Sequence, residues 1–236
     1  MQNLFYQPDI LFGITYLNPE ESHHCINVMR KKNGDTIFIT NGQGGIFEAV
    51  ITRPDSSQCS FRIIRTVATT PRQYSFRLAI APTKNSDRME WMVEKCIEIG
   101  IDRISFIQTI HSERTLLKTS RLEKIVTSAM KQALQPYRPV IDPISPFSDF
   151  LKSATGGERF IAHAGNTNTP HLMDLATAGC EYTVLIGPEG DFASNELALA
   201  KASGFKEVTL GTSRLRTETA GLVACNIINL VNRNLQ

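Results

Sequence analysis

From Phe76 onward the chain alternates between short apolar runs and stretches with helical spacing, and few folds can bury such a pattern. Phe76-Arg77-Leu78-Ala79-Ile80-Ala81 reads as a buried strand. Met89, Met92, Val93, Cys96, Ile97 and Ile99 then recur at helical spacing, and Gly100 supplies the left-handed residue that closes such a helix. Arg103–Ile107 is the next strand, followed by the polar loop His111-Ser112-Glu113-Arg114. A second helix is predicted over about Ser120–Leu134, stopped by Pro136 and Pro139. Arg159–His163, Tyr182–Ile186 and Lys206–Leu210 read as strands, each followed by a loop and usually a helix. Repeated strand–helix alternation means an α/β domain with a mainly parallel sheet.

The first 67 residues follow a different rule. Asn18-Pro19-Glu20-Glu21 is a helix start, with Asn as the cap, Pro at the first helical position and acids in the first turn. That helix is expected to run to about Arg30. Thr36–Thr40 and Ile46–Ile51 flank Asn41-Gly42-Gln43-Gly44-Gly45 as a hairpin, and Ser60–Val67 adds a strand. Short strands with one helix suggest a small β-barrel. Ala68-Thr69-Thr70-Pro71-Arg72 lacks periodicity and is the linker candidate, dividing the chain into 1–70 and 71–236.

Several classes are disfavoured. No apolar run reaches the roughly 20 residues of a membrane span, and the N-terminus lacks the basic start and apolar core of a secretory signal. Cys25, Cys59, Cys96, Cys180 and Cys225 lie far apart and odd in number, which suits buried thiols in a reducing cytoplasm rather than disulfides or zinc. No metal-ligand spacing is evident, so no metal is expected. Net charge is only +2, but residues 73–140 carry 11 Lys and Arg against 7 Asp and Glu. That excess suits a face meeting phosphates or, equally, solvated helix faces.

Ligands of parallel sheets sit beyond the carboxyl ends of the strands. Two loops there are unusual. Leu185-Ile186-Gly187-Pro188-Glu189-Gly190-Asp191-Phe192 combines glycines that permit close backbone approach with a rigid proline, ahead of a helix capped by Ser194. Leu210-Gly211-Thr212-Ser213-Arg214-Leu215-Arg216-Thr217-Glu218-Thr219-Ala220-Gly221 leads into a last helix that is apolar on several faces, and therefore buried in the core or against another subunit. Either loop alone is equally an ordinary turn. No P-loop, dinucleotide fingerprint or nucleophile elbow is present.

Together the two loops resemble the trefoil-knotted (SPOUT) methyltransferases, specifically the 16S ribosomal RNA uridine-N3 methyltransferases. His23-His24-Cys25-Ile26-Asn27-Val28-Met29-Arg30 with Gly34-Asp35 resembles that family's N-terminal signature. Lys84…Arg88-Met89-Glu90…Glu94-Lys95-Cys96-Ile97-Glu98-Ile99-Gly100, then Ser112-Glu113-Arg114, resembles its middle one. The likeness spans nearly the whole chain in the expected order. Asp191 stands where the family more often has a second Gly, Ser213-Arg214 replaces its commoner Arg-aliphatic pair, and no basic residue precedes Phe5-Tyr6.

The resemblance implies a PUA-like RNA-binding barrel ahead of a knotted methyltransferase domain, a homodimer, S-adenosylmethionine as cofactor and the 16S rRNA of the small ribosomal subunit as substrate. It implies a cofactor site at Leu185, Ile186, Gly187, Pro188, Glu189, Gly190, Leu210, Gly211, Leu215, Arg216, Thr219 and Ala220, where backbone groups read adenine edges and leucines cover its faces. His163 either lines a third wall or is a strand-end histidine. Arg216 and Glu218 are the catalytic candidates. Arg216 either polarises the uracil carbonyls or clamps an anion; Glu218 either accepts the N3 proton or complements the helix dipole. His24, Arg30, Lys31 and Lys32, with Lys84, Arg88 and Arg114, are candidates for positioning RNA. Open alternatives are a knotted enzyme acting on another rRNA or tRNA position, an inactive RNA-binding relative, and a nucleotide-dependent enzyme.

Overall fold

The structure is a computed structural model and describes residues 3–67, 69–117, 119–163 and 169–235. Met1 and Gln2 of the N-terminus, and Ala68 of the linker candidate, lie outside the described residues. The chain forms two compact units: 1–71 with 127–138, and 72–126 with 139–236.

In the first unit, strands β1 (Leu4–Tyr6), β2 (Thr36–Thr40), β3 (Ile46–Arg53) and β4 (Ser60–Val67) form one sheet in that order. β1 runs parallel to β2, and the others pair antiparallel. The β3–β4 register shifts twice, leaving Ile64 of β4 unpaired opposite Glu48/Ala49 and Thr52 of β3 unpaired between Ile51 and Arg53; such bulges bend a strand and increase its twist. Helix α1 (Pro19–His23) starts as expected, with the Asn18 side chain accepting from the Glu21 amide at 2.8 Å. It ends sooner than expected, passing into a π-helical turn at His24–Val28, after which Arg30 adopts φ 54°. Phe5, Leu17, Cys25, Ile37, Ile39, Ile51 and Phe61 pack as the core. The 127–138 segment joins this unit through the Thr40 hydroxyl and Gly44 amide, which both donate to Pro136 O at 3.0 Å, and through an ion pair between Lys131 and buried Glu21.

The second unit carries a six-stranded, wholly parallel sheet. Its strands are β5 (Ser75–Ile80), β6 (Arg103–Gln108), β7 (Val140–Pro146), β8 (Glu158–Ala162), β9 (Glu181–Ile186) and β10 (Lys206–Val208). Their spatial order is β10-β8-β9-β5-β6-β7. Helices α2 (Ser86–Ile99), α3 (Thr119–Gln132), α4 (Phe147–Ser153), α5 (Leu172–Leu175), α6 (Ser194–Ala202) and α7 (Thr217–Val231) connect them, the last turns of α3 belonging to the first unit. β7, α4 and α5 are absent from the periodicity reading. β7 (Val140-Ile141-Asp142-Pro143-Ile144-Ser145-Pro146) hides because its prolines read as breakers, and an edge strand tolerates proline because one side of it needs no ladder donors.

β5 lies between β9 and β6, so the chain reverses its direction of travel across the sheet between β5 and β9. Ligand crevices form at such a switch point. α7 packs over it against α2, β5 and β9. Gly221 permits this approach: a Cβ there would lie 3.0 Å from Ile80 Cδ1 and 3.2 Å from Leu78 Cδ2. No helix among the described residues is long and apolar enough to cross a membrane.

Candidate active site

The loops after β9 and β10 meet directly. The buried Thr217 hydroxyl, at the first residue of α7, donates to Gly187 O at 3.1 Å. The first loop turns tightly: Asp191 N donates to Pro188 O at 2.9 Å, and Asp191 sits at φ 61°. Asp adopts this left-handed geometry more readily than most residues, so the turn forms there without a glycine. Asp191 Oδ1 accepts from Phe192 N, and its carbonyl lies 2.9 Å from His111 Nδ1.

Ser194 is the first residue of α6, and Ala193 takes the cap position. Alanine has no side-chain acceptor, so Glu196 serves both loops instead. Its buried carboxylate accepts Ala193 N at 2.9 Å and Ile110 N at 2.9 Å, fastening the His111 loop to the Gly187–Phe192 loop. A Glu three residues into the helix is the sequence signal for this role.

Arg216 is the cap residue of α7, extended at φ −72° and ψ 156°, and its side chain caps nothing. That frees the guanidinium. A pocket of about 660 Å³ is lined by Arg214, Leu215, Arg216, Glu218 and Thr219 together with Asp87, Arg88 and Trp91 of α2. The start of α2 is held by Asn85, whose side chain accepts from the Asp87 and Arg88 amides. Arg88 Nε stands 3.8 Å from Glu218 Oε1, an electrostatic contact rather than a hydrogen bond. Glu218 Oε2 is buried and, among the described residues, has no hydrogen-bond partner. A buried acceptor left unsatisfied is costly unless a ligand completes it. Arg214 and Arg216 are exposed and have no ion-pair partner among the described residues. Asp87 and Trp91 were not legible as site residues, because only the packing of α2 against α7 brings them beside the Arg214–Glu218 segment.

The other sequence candidates distribute as follows. Leu185 is buried in the core with Ala79, Ile161 and Phe192, and Ile186 O accepts Ala81 N at 3.0 Å. Gly187 and Pro188 are buried, whereas Glu189 and Gly190 are exposed. Leu210 and Leu215 are half-buried; Ala220 lies in the first turns of α7, its amide bonded to Arg216 O. Gly211 is exposed at φ 135° with open space where a Cβ would stand, and the 212–215 backbone makes no backbone hydrogen bond among the described residues. His163 follows β8 with its side chain buried 3.3 Å from Glu207, whose carboxyl Lys201 at 3.1 Å holds below the usual range. Lys84 pairs with Glu113 at 3.3 Å, and Arg114 donates to Lys84 O at 3.2 Å, so these two sit together. His24, Arg30, Lys31 and Lys32 belong to the first unit, where His24 packs edge-on against Phe5 and Arg30 and Lys32 are exposed. Among the described residues no cluster of three or more His, Cys, Asp or Glu could hold a metal.

Residues 70–229 match the model of an RNA methyltransferase domain, and residues 17–64 match that of an RNA methyltransferase PUA domain. The chain belongs to the RNA methyltransferase family. A ribosomal RNA small subunit methyltransferase E from Synechocystis sp. is 30% identical over 230 residues, covering 93% of this chain and 74% of the relative. The crystal structure of a probable rRNA-methyltransferase from Porphyromonas gingivalis superposes with a TM-score of 0.92 at 40% identity, covering 99% of this chain and all (100%) of that one. A Legionella pneumophila structure solved with the cofactor SAM bound has a TM-score of 0.86 at 25% identity, covering 98% of each chain. Within the family, the N-terminal unit is the PUA-like part and the parallel sheet the methyltransferase part.

The site suits S-adenosylmethionine on its own geometry. The open backbone at Gly211, the 212–215 backbone groups that make no backbone hydrogen bond among the described residues, and half-buried Leu215 offer polar edges beside an apolar surface, which suits an adenosine.

Proposed function

We propose that this protein methylates N3 of a uridine in the 16S ribosomal RNA of the small subunit, with S-adenosylmethionine as donor. The observation that carries the reading is the buried, unpartnered Glu218 oxygen in a pocket that also holds a free Arg216. When bound, the cofactor supplies a methyl on a sulfonium, ready for in-line displacement. The nucleophile needs more help, because uracil N3 carries a proton at neutral pH.

In this reading Glu218 accepts that proton. Arg216 holds the uracil carbonyls and stabilises the charge that develops on them. Leu185 to Gly190, Leu210, Gly211, Leu215, Thr219, Ala220 and His163 shape the cofactor site, so that orientation contributes to the rate. Lys84, Arg88 and Arg114 in the catalytic unit, and His24, Arg30, Lys31 and Lys32 in the PUA-like unit, contact the RNA backbone.

The same reading makes residues 1–70 the RNA-binding part and 71–236 the catalytic part. It makes the protein a cytoplasmic homodimer whose C-terminal segment threads a trefoil knot. Calorimetry with S-adenosylmethionine tests the first half; absence of binding would sink it. Mapping small-subunit RNA from a deletion strain, with and without the gene restored, tests the second. N3-methyluridine persisting in the deletion strain would overturn the assignment.

A further inference from the structure

Trp91 is the only tryptophan in the chain, and its placement is unlike that of its neighbours. α2 buries Met89, Met92, Val93, Cys96 and Ile97 completely, yet Trp91 remains 44% exposed. It therefore adds little to the core. Instead it lines the pocket that holds Arg214, Arg216 and Glu218. The pocket's volume, about 660 Å³, falls in the range of small-ligand sites, about 300–1,000 Å³.

We propose that Trp91 is the stacking wall for an RNA base flipped into this pocket, with Arg214 on the nucleotide's phosphate. The inference rests on the methyltransferase reading and names the side chain that holds the target in place. An enzyme acting on a base must take it out of its stack and replace the lost stacking. An indole offers the largest π face for that purpose and accepts any base. Arg214 is exposed and has no ion-pair partner among the described residues, so its guanidinium is available to an anion. Trp91 thus holds the base, while Arg216 and Glu218 act on its edge.

Because Trp91 is the sole tryptophan, its emission reports the contact directly. The full-length protein, saturated with S-adenosylhomocysteine, is titrated with small-subunit ribosomal RNA from a deletion strain while tryptophan emission is recorded. Steady-state methyl transfer is measured in parallel for wild type, W91F and W91A. Emission is expected to fall by about half or more at saturation. The KM for RNA is expected to rise about ten- to a hundredfold in W91A and no more than about threefold in W91F, with cofactor affinity unchanged in both. Methyl transfer by the wild type with unquenched emission, or a W91A KM within about twofold of wild type, overturns this proposal alone. Absence of any methyl transfer by the wild type overturns the methyltransferase reading and this proposal with it. A second copy of the chain covering Trp91 would give the unquenched result.

Discussion

At the scale of single residues, Arg216 and Glu218 occupy different environments, and the proposed chemistry gives them different work. Arg216 is exposed at the cap of α7, whereas Glu218 is buried with one oxygen unpaired. In the proposed chemistry Arg216→Ala should lower kcat about 100-fold while cofactor affinity by calorimetry stays within about twofold. An equal loss in both would make Arg216 a cofactor-binding residue. Glu218→Gln keeps the shape but removes the base, and kcat should fall by roughly 10²- to 10⁴-fold. Asp191 is a separate matter of backbone strain. At φ 61°, Asp191→Val should cost about 1–3 kcal/mol in urea unfolding, whereas Asp191→Gly should leave stability nearly unchanged.

At the scale of elements, the site depends on how closely α7 can approach the sheet. Gly221→Val places a side chain against Ile80 and Leu78, so a loss of about 1–3 kcal/mol is expected from overpacking. The far edge of the sheet is held by charge. Arg103 forms two 2.8 Å bonds with Asp142, which also accepts from the Ser105 hydroxyl and from Arg77 at 3.2 Å. Burial alone would raise the Asp142 carboxyl, but the Arg103 and Ser105 hydrogen bonds and the charges of Arg103 and Arg77 outweigh it, holding the carboxyl below its usual range. With the folded value depressed, this stabilisation is fully present above the ordinary carboxylate pKa of about 3.9 and is lost as pH falls through the folded value. Asp142→Asn should therefore cost about 1.5–3 kcal/mol at pH 7, and its gap to wild type should shrink as pH is lowered below about 4.

At the scale of the whole molecule, the proposed RNA contacts are electrostatic and should follow salt. Lys32→Ala should weaken RNA binding about uniformly across sequences and reduce the salt slope of log K by about one. An unchanged slope in a filter-binding series would remove Lys32 from the RNA face.

Legibility differed sharply between elements and contacts. β2 and β4 stand where the alternation of apolar residues placed them, since period-two patterning is local. The amphipathic spacing of α2, and the Asn18 cap of α1, were legible for the same reason. Ser194 misled because a serine before a helix looks like a cap, while the capping came from Glu196 and reached across to Ile110.

By itself the sequence determined the strand–helix alternation, the parallel sheet that must follow from it, and the two glycine-bearing loops at the carboxyl ends of strands. These depend on nearest neighbours along the chain and on the need to bury one face of each element. Only the tertiary structure decided that β5 and β9 are adjacent, that Thr217 closes on Gly187, and that Trp91 and Asp87 face Arg214 and Glu218 across one pocket. Those juxtapositions come from packing between segments far apart in the chain, which no local pattern encodes.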